Sequence, residues 1–118
     1  LHALGHAADV PRWLLAADAL LLPSRLEGFP LVFLEAALRD CPVIATAEAM
    51  ECLGNMTENM VSVMDATTGD ALTPALLASF PPREPHLARA AAARDFATSL
   101  GLDTMLRRTL GLLRRLVG

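Results

Sequence analysis

The sequence predicts an α/β fold, a parallel sheet with flanking helices. Short apolar runs, Ala19-Leu20-Leu21-Leu22 and Val43-Ile44-Ala45, lack polar alternation, as strands buried on both faces do. Segments with helical spacing alternate with these runs, and such alternation argues for βαβ units. The chain has 118 residues, 53% of them hydrophobic. That suffices for one domain or part of one and excludes a disordered chain.

The elements follow in order. Leu1 to Gly5, apolar apart from His2, predicts a short strand closed by glycine. Asp9-Val10-Pro11 predicts a helix start, with Asp9 as cap and Pro11 in the first turn, followed by Trp13, Leu14 and Ala17 at helical spacing. A strand over Ala19–Leu22 stops at Pro23, and Ser24 to Phe29 form a loop. Pro30 is expected to open a second helix running to about Arg39, which Pro42 ends. Val43 to Ala45 form the next strand, β-branched at its start. Met60 to Met64 fits a strand through the alternation of Val61 and Val63 about Ser62, whereas Met56, Met60 and Met64 recur at helical spacing. Asp65 to Asp70 is a turn, Leu72 to Phe80 a helix, and Pro81-Pro82 a break. From Glu84 the pattern is helical, with strong helix formers at Ala90 to Ala93, and Gly101 separates off a last helix, Asp103 to Val117.

Composition removes several functions. The net charge of −3 offers no electrostatic footprint for nucleic acid. All ten basic residues are arginine, so chemistry that needs a lysine ammonium is not completed within these residues. Cys41 and Cys52 form neither a CxxC pair nor a disulfide framework, which points to a reducing, cytoplasmic compartment. No run approaches a membrane span, and the first residues lack the basic n-region expected of a signal peptide. The absence of a starting Met and the opening within an apolar run are expected of a fragment. His2, His6 and His86 have no metal-ligand spacing, and no metal or cofactor motif is present, although His6, at a strand end, could line a ligand rim.

The loop from Pro23 to Pro30 carries the functional information. Ligands of parallel sheets bind beyond the carboxyl ends of strands, where this loop lies. Gly28 allows close backbone approach, and the following helix start offers free N–H groups to an anion. Glu35 interrupts the apolar helix Leu31-Val32-Phe33-Leu34-Glu35-Ala36-Ala37-Leu38. A carboxylate there needs solvent, a cation or a hydrogen-bonding ligand, and two neighbouring ribose hydroxyls suit it. The simpler alternative is a narrow solvent-facing stripe.

The run Ser24-x-x-Glu27-Gly28-Phe29-Pro30, then Glu35-Ala36, then Pro42-Val43-Ile44-Ala45-Thr46, resembles the retaining glycosyltransferases of family four, the group 1 glycosyl transferases of GT-B architecture. Their two glutamates separated by seven residues are matched by Glu27 and Glu35. The resemblance covers about Leu4 to Thr46 and implies a Rossmann-like sheet, with residues 1–118 as one partial domain: the later part of the C-terminal, nucleotide-sugar-binding domain, its C-terminal helices spanning about 84–117. It implies a hexosyltransferase-like enzyme of polysaccharide or glycoconjugate synthesis, with a nucleotide-diphosphate-sugar as substrate and no cofactor. By resemblance Glu27 contacts the transferred sugar as catalytic residue. The amides around Gly28, Phe29, Pro30 and Leu31 face sugar and diphosphate, Glu35 holds the ribose, and Ser24 lies on the same rim. Phe29 is expected to wedge the loop against the core.

Two departures qualify it. Thr46-Ala47-Glu48-Ala49-Met50-Glu51 stands where the family has a glycine-rich turn and then a glutamate, and Glu48 adds negative charge where a pyrophosphate would approach. The family's phosphate-binding arginine and lysine, and its acceptor domain, are expected upstream of Leu1, so the fragment alone is expected to be inactive. The alternative is a non-catalytic GT-B-like binding or scaffold module with a degenerate donor site. A third reading, a related sugar-nucleotide epimerase, would need upstream carboxylates and a histidine.

The last helix is amphipathic, with Arg107, Arg108, Arg114 and Arg115 opposite Leu106, Leu110, Leu113 and Val117. The simple expectation is a helix packed on the domain with a solvated arginine face. The functional alternative is peripheral contact with an anionic membrane surface at its inner face.

Overall fold

The computed structural model describes residues 2–64, 68–79 and 84–117. The order is α1 (Val10–Ala16), β1 (Leu20–Leu22), α2 (Leu31–Ala37), β2 (Val43–Thr46), a 3-10 segment (Glu48–Met56), α3 (Thr57–Met60), β3 (Ser62–Met64), α4 (Gly69–Ser79), α5 (Glu84–Ser99) and α6 (Leu102–Val117). The three strands form a parallel sheet in the order β1-β2-β3, so the predicted α/β class holds. Leu21 pairs with Ile44, and Ile44 with Ser62. β2, the central strand, is buried at all four positions, which is why its sequence shows no alternation.

The core gathers on α2, β2 and α5. Phe33, Ala36 and Ala37 of α2 are fully enclosed, and Ala90, Ala93 and Ala97 of α5 face them. Small residues on α5 let it lie close against both α2 and α3. Met50, Leu53, Met60 and Val61 complete the cluster. Met60 ends α3 and Met64 ends β3, so the four-residue methionine spacing spans a helix and a strand rather than one helix face.

Several local expectations are corrected. Residues 2–5 form no strand: Gly5 takes a left-handed φ of 65° and turns the chain, leaving Leu4 exposed beside α1. Asp9 stands at the N-cap of α1, yet its carboxylate pairs with Arg12 at 3.7 Å instead of capping an amide. Pro30 is the N-cap residue of α2, not its first helical one, and its carbonyl accepts from the Phe33 amide at 3.0 Å. α2 stops before Pro42 through a Schellman arrangement. Asp40 adopts a φ of 53°, its amide donates to the Ala37 carbonyl, and the Cys41 amide donates to the Ala36 carbonyl. The Asp40 carboxylate also pairs with Arg94 of α5 at 2.6 Å, fastening this turn to the neighbouring helix.

α4 begins at Gly69, three residues earlier than predicted, and contains Pro74. Residues 65–67 of the expected Asp65–Asp70 turn and the Pro81-Pro82 break lie outside the described residues, and Gly69 and Asp70 belong to α4 instead of a turn. α5 and α6 divide at Gly101 as predicted. α6 does not pack on the domain as the simple expectation held, since none of its residues is buried.

Candidate functional site

The β1–α2 loop leaves the carboxyl end of the sheet. Leu22 ends β1 buried, and Pro23 has no amide to continue a ladder. Ser24 is half-buried, and its carbonyl accepts a hydrogen bond from the buried Thr46 hydroxyl at the end of β2. The same Thr46 oxygen accepts from the Ala49 amide at 3.2 Å. One hydroxyl therefore ties the loop to the start of the 3-10 segment. Composition and motif reading assigned Thr46 no role. The available signal was a threonine closing a strand just before a helical start, the usual place for a cap.

Glu27 is half-buried, Gly28 is exposed with open space beside its Cα, and Pro30 is buried. Phe29 does not wedge into the core: it is 39% exposed, and Phe33, one turn on, occupies the interior. Leu31, the first residue of α2, is exposed as well. Along α2, Phe33, Ala36 and Ala37 point inward, whereas Leu31, Glu35 and Leu38 share the outward face. Glu35 is half-buried on that stripe, so the helix is not apolar on every buried side, as its sequence implied. Arg39 donates to the Glu35 carbonyl at 2.7 Å. Among the described residues neither the Glu27 nor the Glu35 carboxylate has a hydrogen-bond or ion-pair partner. Ser24, Glu27, Gly28, Phe29, Pro30 and Leu31 thus share one loop and helix start, with Glu35 one turn further.

Beyond β2 the chain forms a helical segment instead of a glycine-rich turn. Ala49, Met50 and Leu53 are buried, and Glu48 and Glu51 are exposed in its first turn. Acidic residues there favour the segment itself and oppose an incoming anion. Thr57 secures its far end, its hydroxyl meeting the Met50 and Gly54 carbonyls at 3.2 and 2.9 Å. A hollow of about 420 Å³ beside it is bordered by Glu51, Asn55 and Glu58. A larger apolar groove, about 470 Å³, runs along Leu4, Trp13, Leu14 and Leu20 and holds none of the predicted site residues. Polar groups that orient a ligand are what single out a binding site, so volume does not outweigh the loop.

The remaining candidates lie elsewhere. His86 of α5 meets the Ser62 hydroxyl at 2.6 Å at the amino end of β3, away from the carboxyl-end loop. His2 and His6 are exposed. Among the described residues no group of three His, Cys, Asp or Glu side chains is arranged for a metal, and no helix is long and apolar enough to cross a membrane. Cys41 is buried and Cys52 exposed. Burial raises the Cys41 thiol above its ordinary range, with a smaller push from Asp18, against the lowering effect of the Leu20 backbone.

The fold has a counterpart among solved structures. Sucrose-phosphate synthase from Thermosynechococcus elongatus is similar in structure, with a TM-score of 0.65 and 25% identity over 89% of this chain. The chain spans 26%, about a quarter, of that protein's length. No curated protein matches the sequence. The sequence profile of the family described as glycosyl transferases group 1 matches residues 1–78, which include both glutamates and the whole sheet. The chain therefore belongs to the group 1 glycosyl transferases.

Proposed function

We propose that the chain is the donor-binding part of a retaining family-four glycosyltransferase that moves a sugar from a nucleotide-diphosphate-sugar to a hydroxyl acceptor. The observation that carries the reading is the pair of unpartnered, half-buried carboxylates, Glu27 on the loop and Glu35 one turn into α2, in a chain of this family. Glu27 positions the transferred ring. The amides of Gly28, Phe29 and Leu31 face the departing diphosphate, Pro30 having no N–H to give, and donors aimed at developing charge are most effective there. Glu35 accepts from the ribose hydroxyls, and Ser24 borders the same rim.

In this reading the acceptor side, and the cations that neutralise the diphosphate, come from outside these 118 residues, so the chain alone is inactive. Its working compartment is the cytoplasm, consistent with two cysteines of opposite burial that do not pair. Synthesis of a polysaccharide or glycoconjugate, in which the donor is consumed, is the corresponding setting.

Calorimetric titration with uridine and guanosine diphosphate tests this. Binding of one of them, weakened about tenfold or more in Glu35→Ala through loss of a charge-assisted hydrogen bond, is expected. Equal binding before and after the substitution would remove Glu35 from the site. A second reading, a non-catalytic module with a degenerate donor site, is favoured by Glu48 and Glu51 at the start of the 3-10 segment. It predicts a folded chain that binds neither nucleotide.

A further inference from the structure

Arg25 is the one basic residue between Arg12 and Arg39, and it stands in the β1–α2 loop two residues before Glu27. Its backbone is fixed. The Ser24 carbonyl belongs to the peptide that leads into Arg25, and the buried Thr46 hydroxyl at the end of β2 holds it. The Arg25 side chain is exposed, whereas Glu27 is half-buried. Among the described residues the guanidinium has neither a hydrogen bond nor an ion pair, although a carboxylate lies two residues away in the same loop. The other charges that directly follow β1 and β2 are acidic: Glu27 itself, and Glu48 and Glu51, both exposed. Arg25 thus sets one unpaired cation beside a group of carboxylates.

We propose that Arg25 is a specificity-determining residue that receives an anionic group, a carboxylate or a phosphate, borne by a sugar substrate. The inference rests on the donor-site reading above. In that reading the transferred ring is at Glu27 and the diphosphate at the start of α2. Arg25 precedes Glu27 and the diphosphate amides follow it, so the guanidinium belongs to the sugar end of the loop. Two residues of extended chain span about 7 Å, a gap that the long arginine stem can close. Hydroxyls of a neutral sugar are served by a carboxylate such as Glu27. A guanidinium adds parallel N–H donors that match a carboxylate or phosphate. The surrounding carboxylates repel an anionic sugar, so Arg25 decides whether such a substrate is accepted.

Calorimetric titration of the whole chain with matched ligand pairs tests this. On the donor side the pairs are uridine diphosphate glucose against uridine diphosphate glucuronate, and guanosine diphosphate mannose against guanosine diphosphate mannuronate. On the acceptor side, glucose is compared with glucose 6-phosphate while the nucleoside diphosphate is bound. The anionic member of one pair is expected to bind about tenfold tighter than its neutral partner, and the pair in which this occurs tells whether donor or acceptor carries the charge. Arg25→Gln should bring that ratio close to one, and Arg25→Lys should leave an intermediate ratio. Circular dichroism of both variants should match the parent, because the side chain is exposed. No preference for the anionic member of any pair overturns the inference and leaves the donor reading standing. So does an equal loss for both members in Arg25→Gln, which would put Arg25 at the diphosphate, or a preference that survives the substitution. Binding of no nucleotide at all overturns the donor reading and this inference together.

Discussion

Thr46 shows how much of a site rests on one side chain. Its hydroxyl donates to the Ser24 carbonyl and accepts from the Ala49 amide, while the residue is only 1% exposed. Thr46→Val keeps the shape and leaves both backbone groups without their partner. The expected cost is about 1–3 kcal/mol, the usual penalty for an unsatisfied buried polar group. Thr46→Ser keeps the oxygen and loses only a methyl, about 1 kcal/mol. The midpoints of urea unfolding for the two variants check this, and equal losses would mean that the methyl, not the hydroxyl, matters. The two glutamates were legible because their spacing and surroundings form a contiguous motif. Thr46 was not, since its partner Ser24 lies 22 residues away and only the fold brings the two together. The placement of Phe29 was misjudged for a related reason. Two phenylalanines lie four residues apart, and composition does not say which enters the core until the face of α2 is set by Ala36 and Ala37.

At the level of elements, the junction from α2 to β2 combines a stop signal with a tether. Asp40 holds a left-handed conformation that disfavours most side chains, and its carboxylate meets Arg94. Both Asp40→Ala and Asp40→Gly lose the ion pair, an exposed one that contributes roughly 0.2–1 kcal/mol. Only alanine must also hold its Cβ against the backbone at positive φ, a cost of roughly 1–2 kcal/mol. Asp40→Ala is therefore expected to be the less stable variant by about 1 kcal/mol or more in thermal denaturation. A reversed order would show that the Schellman turn is not what fixes the end of α2. This junction also explains the limits of sequence reading here. Pro42 announced an end to α2, but the end is made two residues earlier by a non-glycine residue, a choice that Arg94 on a distant helix supports. β1 and β2 were legible as apolar runs closed by proline or glycine-free turns. The expected strand at residues 2–5 failed because Gly5 follows Leu4 and reverses the chain before a ladder forms.

At the scale of the whole molecule, the chain has more surface than its mass requires. A compact 12.6 kDa monomer exposes about 6,200 Å², whereas this one exposes 8265 Å². Its radius of gyration is 16.2 Å with a long axis of 56 Å, against about 13–14 Å for a compact domain of this length. Two features account for the excess: the apolar groove beside β1, an edge strand among the described residues, and α6 extending away from the body. An unpaired strand edge and an uncovered leucine face are each surfaces that proteins of this size ordinarily cover. Small-angle scattering of the dilute chain separates two arrangements in solution. With α6 extended, the radius of gyration stays near 16 Å, and a chain ending at Leu100 falls to about 13 Å. With α6 folded back over the groove, the full chain itself scatters as a particle of about 13–14 Å, and Trp13 fluorescence shifts to the blue relative to the shortened chain as its ring leaves water. The first outcome is expected, because the groove is lined by uncharged side chains and offers the arginines of α6 no acidic partner.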